Sequence, residues 1–394
     1  MMTTPDSGLH RAGFVLVAFS LAMTPLGLFY AQAGLYAAVV LWLVVTARNG
    51  RWRDLPAFTR PLVAYGVWTF VSAAASVNPM ASFADTKQLL LFLMVPAVAT
   101  FARGSRATRV VDSIIAAGSG AALYGIVQYS LLGYDTLENR AVGFLGHWMT
   151  FSGVLMLITG AALARLLYAG REWIWPAIAV PALVVALFYT YTRNAMVGLV
   201  AAIGVLMAEK NWRLLLALPV LGLIFLVIAP SAIISRVQSI GDLNDPSNRD
   251  RFAMLRSGVR MVQDHPLTGV GPDSVKLVSA QYRDAIYAVD DRINPHLHNV
   301  PMQIAAERGL PALALWLWFV VVASRDLWRQ LRTGEHRAVA GAGVAAMVAM
   351  LVAGLFEYNF GDSEFLMLFL GLITLPYAAA FDAPAARDTS LASS

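Results

Sequence analysis

The fold follows from SAIISRVQSIGDLNDPSNRDRFAMLRSGVRMVQDHPLTGVG, residues 231–271, which open a polar stretch that continues to Gly309. This stretch lies between two apolar runs and contains no run of the roughly 20 apolar residues that cross a bilayer. Lipid cannot satisfy irregular backbone, so we expect these residues to leave the membrane as a small folded piece. The rest of the chain is then a scaffold that holds this loop.

Composition places the chain among membrane proteins. Hydrophobic residues make up 58% and charged residues 13% of the 394, whereas globular proteins have about 25% charged residues. The net charge of +5 is spread over short loops, which argues against nucleic acid binding. Cysteine is absent, which excludes disulfides, a thiol nucleophile and a cysteine metal cluster.

Twelve apolar runs are candidates for membrane-spanning helices, so the predicted fold is an all-α polytopic membrane protein with one large helical loop. The loops between the runs alternate in charge: 17 of the 29 basic residues fall on one side, and only Lys87, Arg140 and Arg193 fall in short loops on the other. By the positive-inside rule, both termini are cytoplasmic and the long loop lies outside. The runs are Ala12–Phe29, Ala31–Ala47, Pro61–Val77, Leu89–Phe101, Val110–Leu132, Met149–Leu167, Ile174–Tyr191, Ala195–Ala208, Leu214–Ala229, Leu310–Val322, Val339–Phe356 and Glu364–Ala380.

This division assigns nine spans to residues 1–229, the site-bearing loop to 230–309, three spans to 310–380 and a cytoplasmic tail to 381–394. The first run, which is followed by Ala31-Gln32-Ala33, also fits a signal peptide with a small-residue cleavage site. The next apolar run follows without a polar segment between them. A retained pair of helices is therefore the favoured interpretation.

Arg193 lies in Tyr189-Thr190-Tyr191-Thr192-Arg193-Asn194, between two apolar runs that leave almost no loop. It is therefore expected at the outer membrane–water interface. An arginine there is either a snorkelling anchor or a phosphate ligand, and its flat fork of donors suits bidentate binding of phosphate. The positive-inside bias disfavours anchoring arginines on this side, which favours the ligand role.

In the polar loop, Pro246-Ser247-Asn248-Arg249-Asp250 predicts the start of a helix that runs to about Gln263, with Ser247 as N-cap and Asp250 as its capping-box partner. Arg251 projects beside the apolar face of this helix, where a charge is costly without an anionic partner. The partner is either one of the loop's nine acidic residues or a bound ligand. The apolar face is expected to pack on the protein and consists of Phe252, Leu255, Val259 and Val262.

Three histidines of the loop are site candidates. His298 precedes a predicted short helix with Asn299 or Val300 as its cap, and the positive end of a helix keeps an imidazole neutral and able to accept a proton. His296 and His298 could also bind metal, but the absence of an HxxxH pair and of cysteine argues against it, and surface histidines without a role are the alternative. His265 opens the sequence HPLTGVG, which predicts a helix end and a turn, so a structural role is favoured.

Weaker signals on the same side are Arg140 and the acidic turn of Glu357, Asp362 and Glu364. They either line the same pocket or are solvated turn charges. The sequence has no Walker loop, no GxGxxG after a predicted strand and no GxSxG, so nothing links the chain to ATP.

Three elements together resemble the O-antigen ligase and polymerase family of membrane glycosyltransferases, over roughly residues 181–357, and are closest to the ligases. The elements are Thr192-Arg193-Asn194-Ala195, Arg251 leading into His265-Pro266-Leu267-Thr268-Gly269-Val270-Gly271, and His298-Asn299 followed by Glu307-Arg308-Gly309. Two positions depart from the family pattern: Thr192 stands where a serine is common, and Met254 or Leu255 stands where a tryptophan is often found.

The resemblance implies a GT-C-like enzyme that needs no metal or cofactor and acts at the outer face of the bacterial inner membrane. It would move a glycan from undecaprenyl diphosphate to a hydroxyl of lipid A-core, inverting the anomeric centre. By position, Arg193 and Arg251 look like the pair that holds the diphosphate, and His298 looks like the catalytic base. The local sequence adds Arg140, His265 and His296 as secondary candidates for the same site.

Three rival functions remain open. An O-antigen polymerase is expected to have two large outer loops, whereas this chain has one. A protein O-oligosaccharyltransferase is disfavoured because no large polar segment follows the last span. A secondary transporter also suits twelve helices, but such folds usually show repeats and charges at mid-membrane.

Overall fold

The computed structural model describes residues 7–49, 55–228, 231–242, 244–283 and 295–381. Within these ranges the chain forms helices and no strands, so the all-α prediction is confirmed. The predicted tail beyond Phe381 lies outside the described residues. The α-helices are α1 Ser7–Met23, α2 Leu28–Asn49, α3 Thr59–Ala74, α4 Pro79–Asp85, α5 Met94–Phe101, α6 Ser105–Leu131, α7 Trp148–Tyr168, α8 Ile174–Tyr189, α9 Arg193–Asn211, α10 Ala217–Ile228, α11 Ser231–Gln238, α12 Pro246–Asp264, α13 Val275–Val278, α14 Val300–Thr333, α15 Arg337–Ala353 and α16 Ser363–Ala380.

Every predicted apolar run falls on one or more of these helices. Among the described residues, seven helical segments are long and apolar enough to cross a membrane, and α1, α8 and α15 contain shorter apolar helices. The fold is therefore consistent with a polytopic membrane protein. The seven segments are Leu28–Arg48, Pro79–Phe101, Ser105–Leu131, Trp148–Tyr168, Arg193–Ile224, Val300–Thr333 and Ser363–Ala380.

Outward faces of these helices carry large apolar side chains. On α3, Val63, Val67 and Phe70 are 58%, 61% and 48% exposed, and their spacing places them on one stripe. A continuous apolar surface of this kind suits lipid better than water, because hydrocarbon carries no penalty for contact with it.

The centre of the protein is formed by α7 and α16, which are almost entirely buried, and by α15, which packs against both. In lipid, close packing of small residues holds helices together. The sequence VAGAGVAAMVA at residues 339–349 supplies them. A Cβ on Gly160 of α7 would lie only 3.1 Å from the Cβ of Ala345, so the two helices touch almost backbone to backbone.

A backbone clasp fastens the polar loop to α14. The N–H groups of Val270 and Gly271 donate to the carbonyl oxygens of Ala306 and Glu307, at 2.8 and 2.9 Å. Gly309 has a φ of 78° and interrupts the helical geometry of α14 beside this contact. The clasp accounts for the glycines of HPLTGVG and of Glu307-Arg308-Gly309 in structural terms.

Gly309→Ala is expected to destabilise the protein by more than about 2 kcal/mol, because it combines an unfavourable positive φ with a steric clash. A Cβ on Gly309 would lie 1.9 Å from the carbonyl oxygen of Leu267. The measurement is the melting temperature of the purified protein in detergent. Gly204→Ala in α9 is the matched control, since a Cβ there meets nothing within 4 Å. An unchanged melting temperature for Gly309→Ala would contradict the clasp.

The start of α12 differs from the prediction. Asp245 is the N-cap, and its Oδ1 accepts hydrogen bonds from the backbone N–H groups of Ser247 and Asn248 at 3.1 and 3.2 Å. The prediction of Ser247 as N-cap was wrong, because Pro246 already lies within the first turn, which suits a residue that lacks an N–H. The side chain of Ser247 is thereby free for other contacts.

The predicted apolar face of α12 was wrong for three of its four residues, whereas Val262 is partly buried and packs on the core as expected. Phe252, Leu255 and Val259 are 46%, 36% and 42% exposed. Close contact at Gly258 favours the observed orientation: a Cβ there would lie 2.6 Å from the Cγ of Met302, so α12 can approach the start of α14 this closely only where it carries a glycine. The buried residues are Ala253, Met254, Ser257, Gly258 and Met261.

Candidate active site

The turn that joins α15 to α16 is where the elements of the site meet. Its Gly354 carbonyl accepts from the backbone N–H of Val300 at 2.7 Å, and its Leu355 carbonyl accepts from the side-chain amide of Asn299 at 3.0 Å. Asn299 is also the N-cap of α14, which confirms that prediction. These bonds fix the start of α14, and with it His298, against the turn.

His298 is bound to Glu357 of this turn. Its Nδ1 lies 2.8 and 2.9 Å from the two carboxylate oxygens. The backbone of His298 has a φ of 48°, a conformation that residues other than glycine rarely adopt and that is often held at functional sites.

The charge of Glu357 determines which ring nitrogen carries the proton when His298 is neutral. Burial by itself would raise the pKa of Glu357, but His298, the Tyr358 backbone N–H and Arg251 outweigh burial, so that the pKa is lowered. Glu357 is therefore a carboxylate at neutral pH and can only accept a hydrogen bond. In a neutral His298 the proton then lies on Nδ1, which leaves the lone pair on Nε2.

Arg251 reaches the same turn from α12. Its Nε donates to the carbonyl oxygen of Phe356 at 3.1 Å, and Nη1 donates to the hydroxyl of Ser247 at 2.9 Å. Burial lowers the pKa of the Arg251 guanidinium, against the opposing attraction of Glu357. Both acceptors are neutral, and Arg251 makes no ion pair under 4 Å with an acidic residue in the described parts of the chain.

Arg193 is the first residue of α9 and is only 7% exposed. Its Nη1 donates to the carbonyl and hydroxyl oxygens of Ser239, both at 2.8 Å. Its Nη2 donates to Asp245 at 3.1 Å, Ser247 at 3.1 Å and Asn248 at 3.0 Å. A snorkelling anchor would point into water, whereas this guanidinium is turned into the polar loop.

The structure brings Arg193, Arg251 and His298 into one site, although 105 positions separate the first from the last. The hydroxyl of Ser247 accepts from both arginines, at 3.1 and 2.9 Å, so it bridges the two guanidiniums. Arg251 in turn binds the carbonyl that immediately precedes Glu357. The arrangement places two cations beside a histidine that can accept a proton.

Two further arginines lie beside Arg193. The guanidinium of Arg140 lies over the ring of Trp148, 4.8 Å from its centroid. Burial lowers the pKa of Arg140; Glu138 opposes this effect and Arg193 adds to it. Burial, with the nearby charges of Arg193 and Arg140, also lowers the pKa of Arg236 to about 10. Sequence reasoning missed Arg236, because it follows an apolar run and belongs to no motif.

The two remaining histidines are placed differently. The His296 ring lies 5.4 Å from that of Tyr358, and burial lowers its pKa, against the attraction of Glu357, so His296 is neutral and lies beside the His298 pair. His265 is the C-cap of α12, fourteen residues after Arg251, which is about 21 Å along the helix axis. The structure therefore places His296 at the site and His265 away from it.

The acidic turn divides between two roles. Glu357 binds His298, whereas Asp362 is the N-cap of α16, where its Oδ1 accepts from the backbone N–H of Phe365 at 3.1 Å. Glu364 follows in the first turn of that helix. The sequence indicated an acidic turn but gave no sign of which carboxylate would meet the histidine.

Comparison with known families bears on this site. Residues 178–317 match the family model described as O-antigen ligase. The match covers α8 to the middle of α14 and includes Arg193, Arg251 and His298, and it confirms the resemblance predicted from the motifs. The domain therefore supports an activity of the O-antigen ligase or polymerase type. No curated protein matches the chain.

Proposed function

We propose, from the O-antigen ligase domain at residues 178–317, that this chain is an O-antigen ligase. It would be an inverting, metal-independent glycosyltransferase that moves O-antigen glycan from undecaprenyl diphosphate to a hydroxyl of lipid A-core. One observation carries the proposal: the bridged guanidiniums of Arg193 and Arg251 lie beside the His298–Glu357 pair. An anionic leaving group and a hydroxyl nucleophile need these two kinds of residue.

The proposed topology has twelve spans in a GT-C-like arrangement in the bacterial inner membrane. Both termini would be cytoplasmic and residues 230–309 periplasmic, which the alternation of basic residues between the loops supports. The undecaprenyl tail would lie along the apolar outer faces of the helices. Its diphosphate would then reach the interface beside Arg193, where α9 begins.

Stabilisation of the leaving group is the first requirement of the transfer. The reaction breaks the bond between the sugar C1 and a diphosphate oxygen, on which negative charge develops. Arg193 and Arg251 would bind the phosphate oxygens through charge-assisted hydrogen bonds. In the structure the guanidinium N–H groups bind oxygens of the loop, so the diphosphate has to replace some of those contacts.

Removal of the acceptor proton is the second requirement. The acceptor oxygen forms the new bond to C1, while Nε2 of His298 takes its proton. The imidazolium that results is stabilised by the carboxylate of Glu357 on Nδ1. Attack from the face opposite the diphosphate inverts the anomeric centre.

The test uses the purified protein with undecaprenyl diphosphate-linked glycan and lipid A-core, in the presence of EDTA, with products separated on a gel. A banded lipid A-core conjugate is expected. Long carrier-linked glycan without a conjugate would identify a polymerase, which the family match also supports. A glycosylated protein would identify an oligosaccharyltransferase. Movement of glycan or lipid across a vesicle membrane without either product would favour a transporter and refute the proposal.

Glu357→Gln is expected to lower the transfer rate by about 100-fold or more, since the neutral amide neither fixes the tautomer of His298 nor stabilises its cation. Donor affinity should change little. Asp362→Asn is the matched control, because it removes the same charge from the same turn and keeps an N-cap. The measurement is the single-turnover rate of transfer. A wild-type rate in Glu357→Gln would show that the carboxylate does not act through His298.

A further inference from the structure

Arg236 is a largely buried arginine to which the proposed reaction gives no part. It lies on α11, and its side chain is 18% exposed. Its Nε is buried without a hydrogen-bond partner, and its Nη1 lies 3.8 Å from Oδ2 of Asp245, beyond hydrogen-bond distance. A buried donor left unpaired is costly, so a missing acceptor is the simplest physical account of this side chain.

The charges around Arg236 favour an anion. The guanidiniums of Arg193, Arg140 and Arg251 lower its pKa, and the carboxylate of Asp245 opposes them. Among the residues that the structure describes, cations therefore outnumber anions at this position. A diphosphate joined to lipid at one end and sugar at the other carries two negative charges, and it would offset most of this excess of positive charge.

Asp245 already occupies a position that suits a phosphate oxygen. Its Oδ1 accepts from two backbone N–H groups at the start of α12, at 3.1 and 3.2 Å, and from Nη2 of Arg193 at 3.1 Å. Free N–H groups at a helix start and an arginine fork are the two commonest elements of phosphate sites. Burial would raise the pKa of Asp245, but Arg193 and Asn248 outweigh burial and lower it, so the group is an anion.

We propose that Arg236 is a third arginine ligand of the donor diphosphate, and that Asp245 is the internal anion that the diphosphate displaces from Arg193. This inference rests on the proposed function, because it takes the donor to be a polyprenyl diphosphate. On binding, a phosphate oxygen replaces the carboxylate on Arg193, and another gives the Nε of Arg236 its acceptor. Asp245 thus orients Arg193 before the donor binds and competes with the donor for it.

The experiment measures the equilibrium dissociation constant of undecaprenyl diphosphate for the purified protein in nanodiscs. Arg236→Gln should raise the Kd by about tenfold or more, the effect of losing a charge-assisted hydrogen bond, and Arg236→Lys should have a smaller effect. Asp245→Asn keeps an N-cap acceptor but removes the competing charge, so it should lower the Kd by about threefold or more.

Arg249→Gln is the matched control. Arg249 lies two positions before Arg251 on α12, which puts it about 200° away around the helix, and it is exposed. Its loss removes the same charge from the same region, and the Kd should stay within about twofold. If Arg249→Gln and Arg236→Gln weaken donor binding equally, the effect comes from the total charge of the region, and the role of Arg236 as a ligand is overturned.

The remaining outcomes separate this inference from the proposed function. Weaker binding by Asp245→Asn would overturn the displacement. Loss of binding in Arg193→Gln with normal binding in both Arg236 variants would leave the ligase proposal standing and overturn the third ligand. A wild-type protein that does not bind undecaprenyl diphosphate would refute the proposed function itself. Should Arg236→Gln fail to fold, as judged by its melting temperature, Arg236→Lys and Asp245→Asn decide the matter.

Discussion

His298→Ala is expected to lower the rate of glycan transfer by about 10²–10⁴-fold, the usual contribution of a general base. The affinity for the donor should stay within about twofold, because the ring of His298 is hydrogen-bonded to Glu357, whereas the arginines are the proposed ligands of the diphosphate. The measurement is a single-turnover transfer at saturating donor and acceptor, together with the Kd for undecaprenyl diphosphate. A histidine that only shaped the loop would change both quantities.

Two further variants separate the chemistry of His298 from its backbone. His298→Asn removes the base but keeps a residue type that tolerates a positive φ, so it should be as slow as the alanine variant while matching the wild-type melting temperature more closely. His265→Ala removes a histidine from the far end of α12 and should keep the wild-type rate. A wild-type rate in His298→Asn, or equal losses in His265→Ala, would contradict the assignment of the base.

The helices could be predicted from the sequence because a membrane span requires a long run of mostly apolar residues. A run such as Met149–Leu167 has the required length and polarity whatever its neighbours are, and α7 follows it to within one residue at each end. How these helices pack depends instead on where small residues of one helix meet those of another, as at Gly160 and Ala345, and single-sequence periodicity does not record such pairs.

The orientation of α12 shows the same limit. Hydrophobicity alone favours burial of Phe252 and Leu255, yet the helix presents Gly258 to Met302 because the space beside α14 admits only a small residue. The sequence also indicated that Arg251 faces the protein, and it does, but an acidic residue of the loop is not its hydrogen-bond partner. Its partner is a backbone carbonyl at the turn between α15 and α16.

The sequence did not show that Glu357 is the hydrogen-bond partner of His298, because this pairing also depends on how distant parts of the chain pack. Motifs pointed to Arg193, Arg251 and His298, each of which stands in a recognisable local pattern. Glu357 lies 59 positions after His298, and the two meet only because Val300 is hydrogen-bonded to the turn at Gly354. The hydrogen bond between Val300 and Gly354 joins two backbone groups, so it leaves no pattern of side chains in the sequence.

Loss of the arginine pair is the second large effect expected. Arg251→Gln and Arg193→Gln should each raise the donor Kd by about tenfold or more and lower the transfer rate as well, because the guanidiniums bind the diphosphate in the ground state and stabilise it as it leaves. The measurements are again the Kd for undecaprenyl diphosphate and the single-turnover rate. Arg249→Gln, on the exposed side of the same helix, should change neither.

The two arginines should differ in what else they disturb. Arg193 holds four residues of the loop, Ser239, Asp245, Ser247 and Asn248, so Arg193→Gln should make the chain around residues 239–248 more sensitive to limited proteolysis. Arg251→Gln removes two hydrogen bonds and should leave the cleavage pattern unchanged. Arg251→Lys should not restore binding, because one ammonium group cannot reproduce the directed pair of bonds to Phe356 and Ser247. Normal donor binding by Arg251→Lys would show that the site needs only charge, and the bidentate role of Arg251 would be wrong.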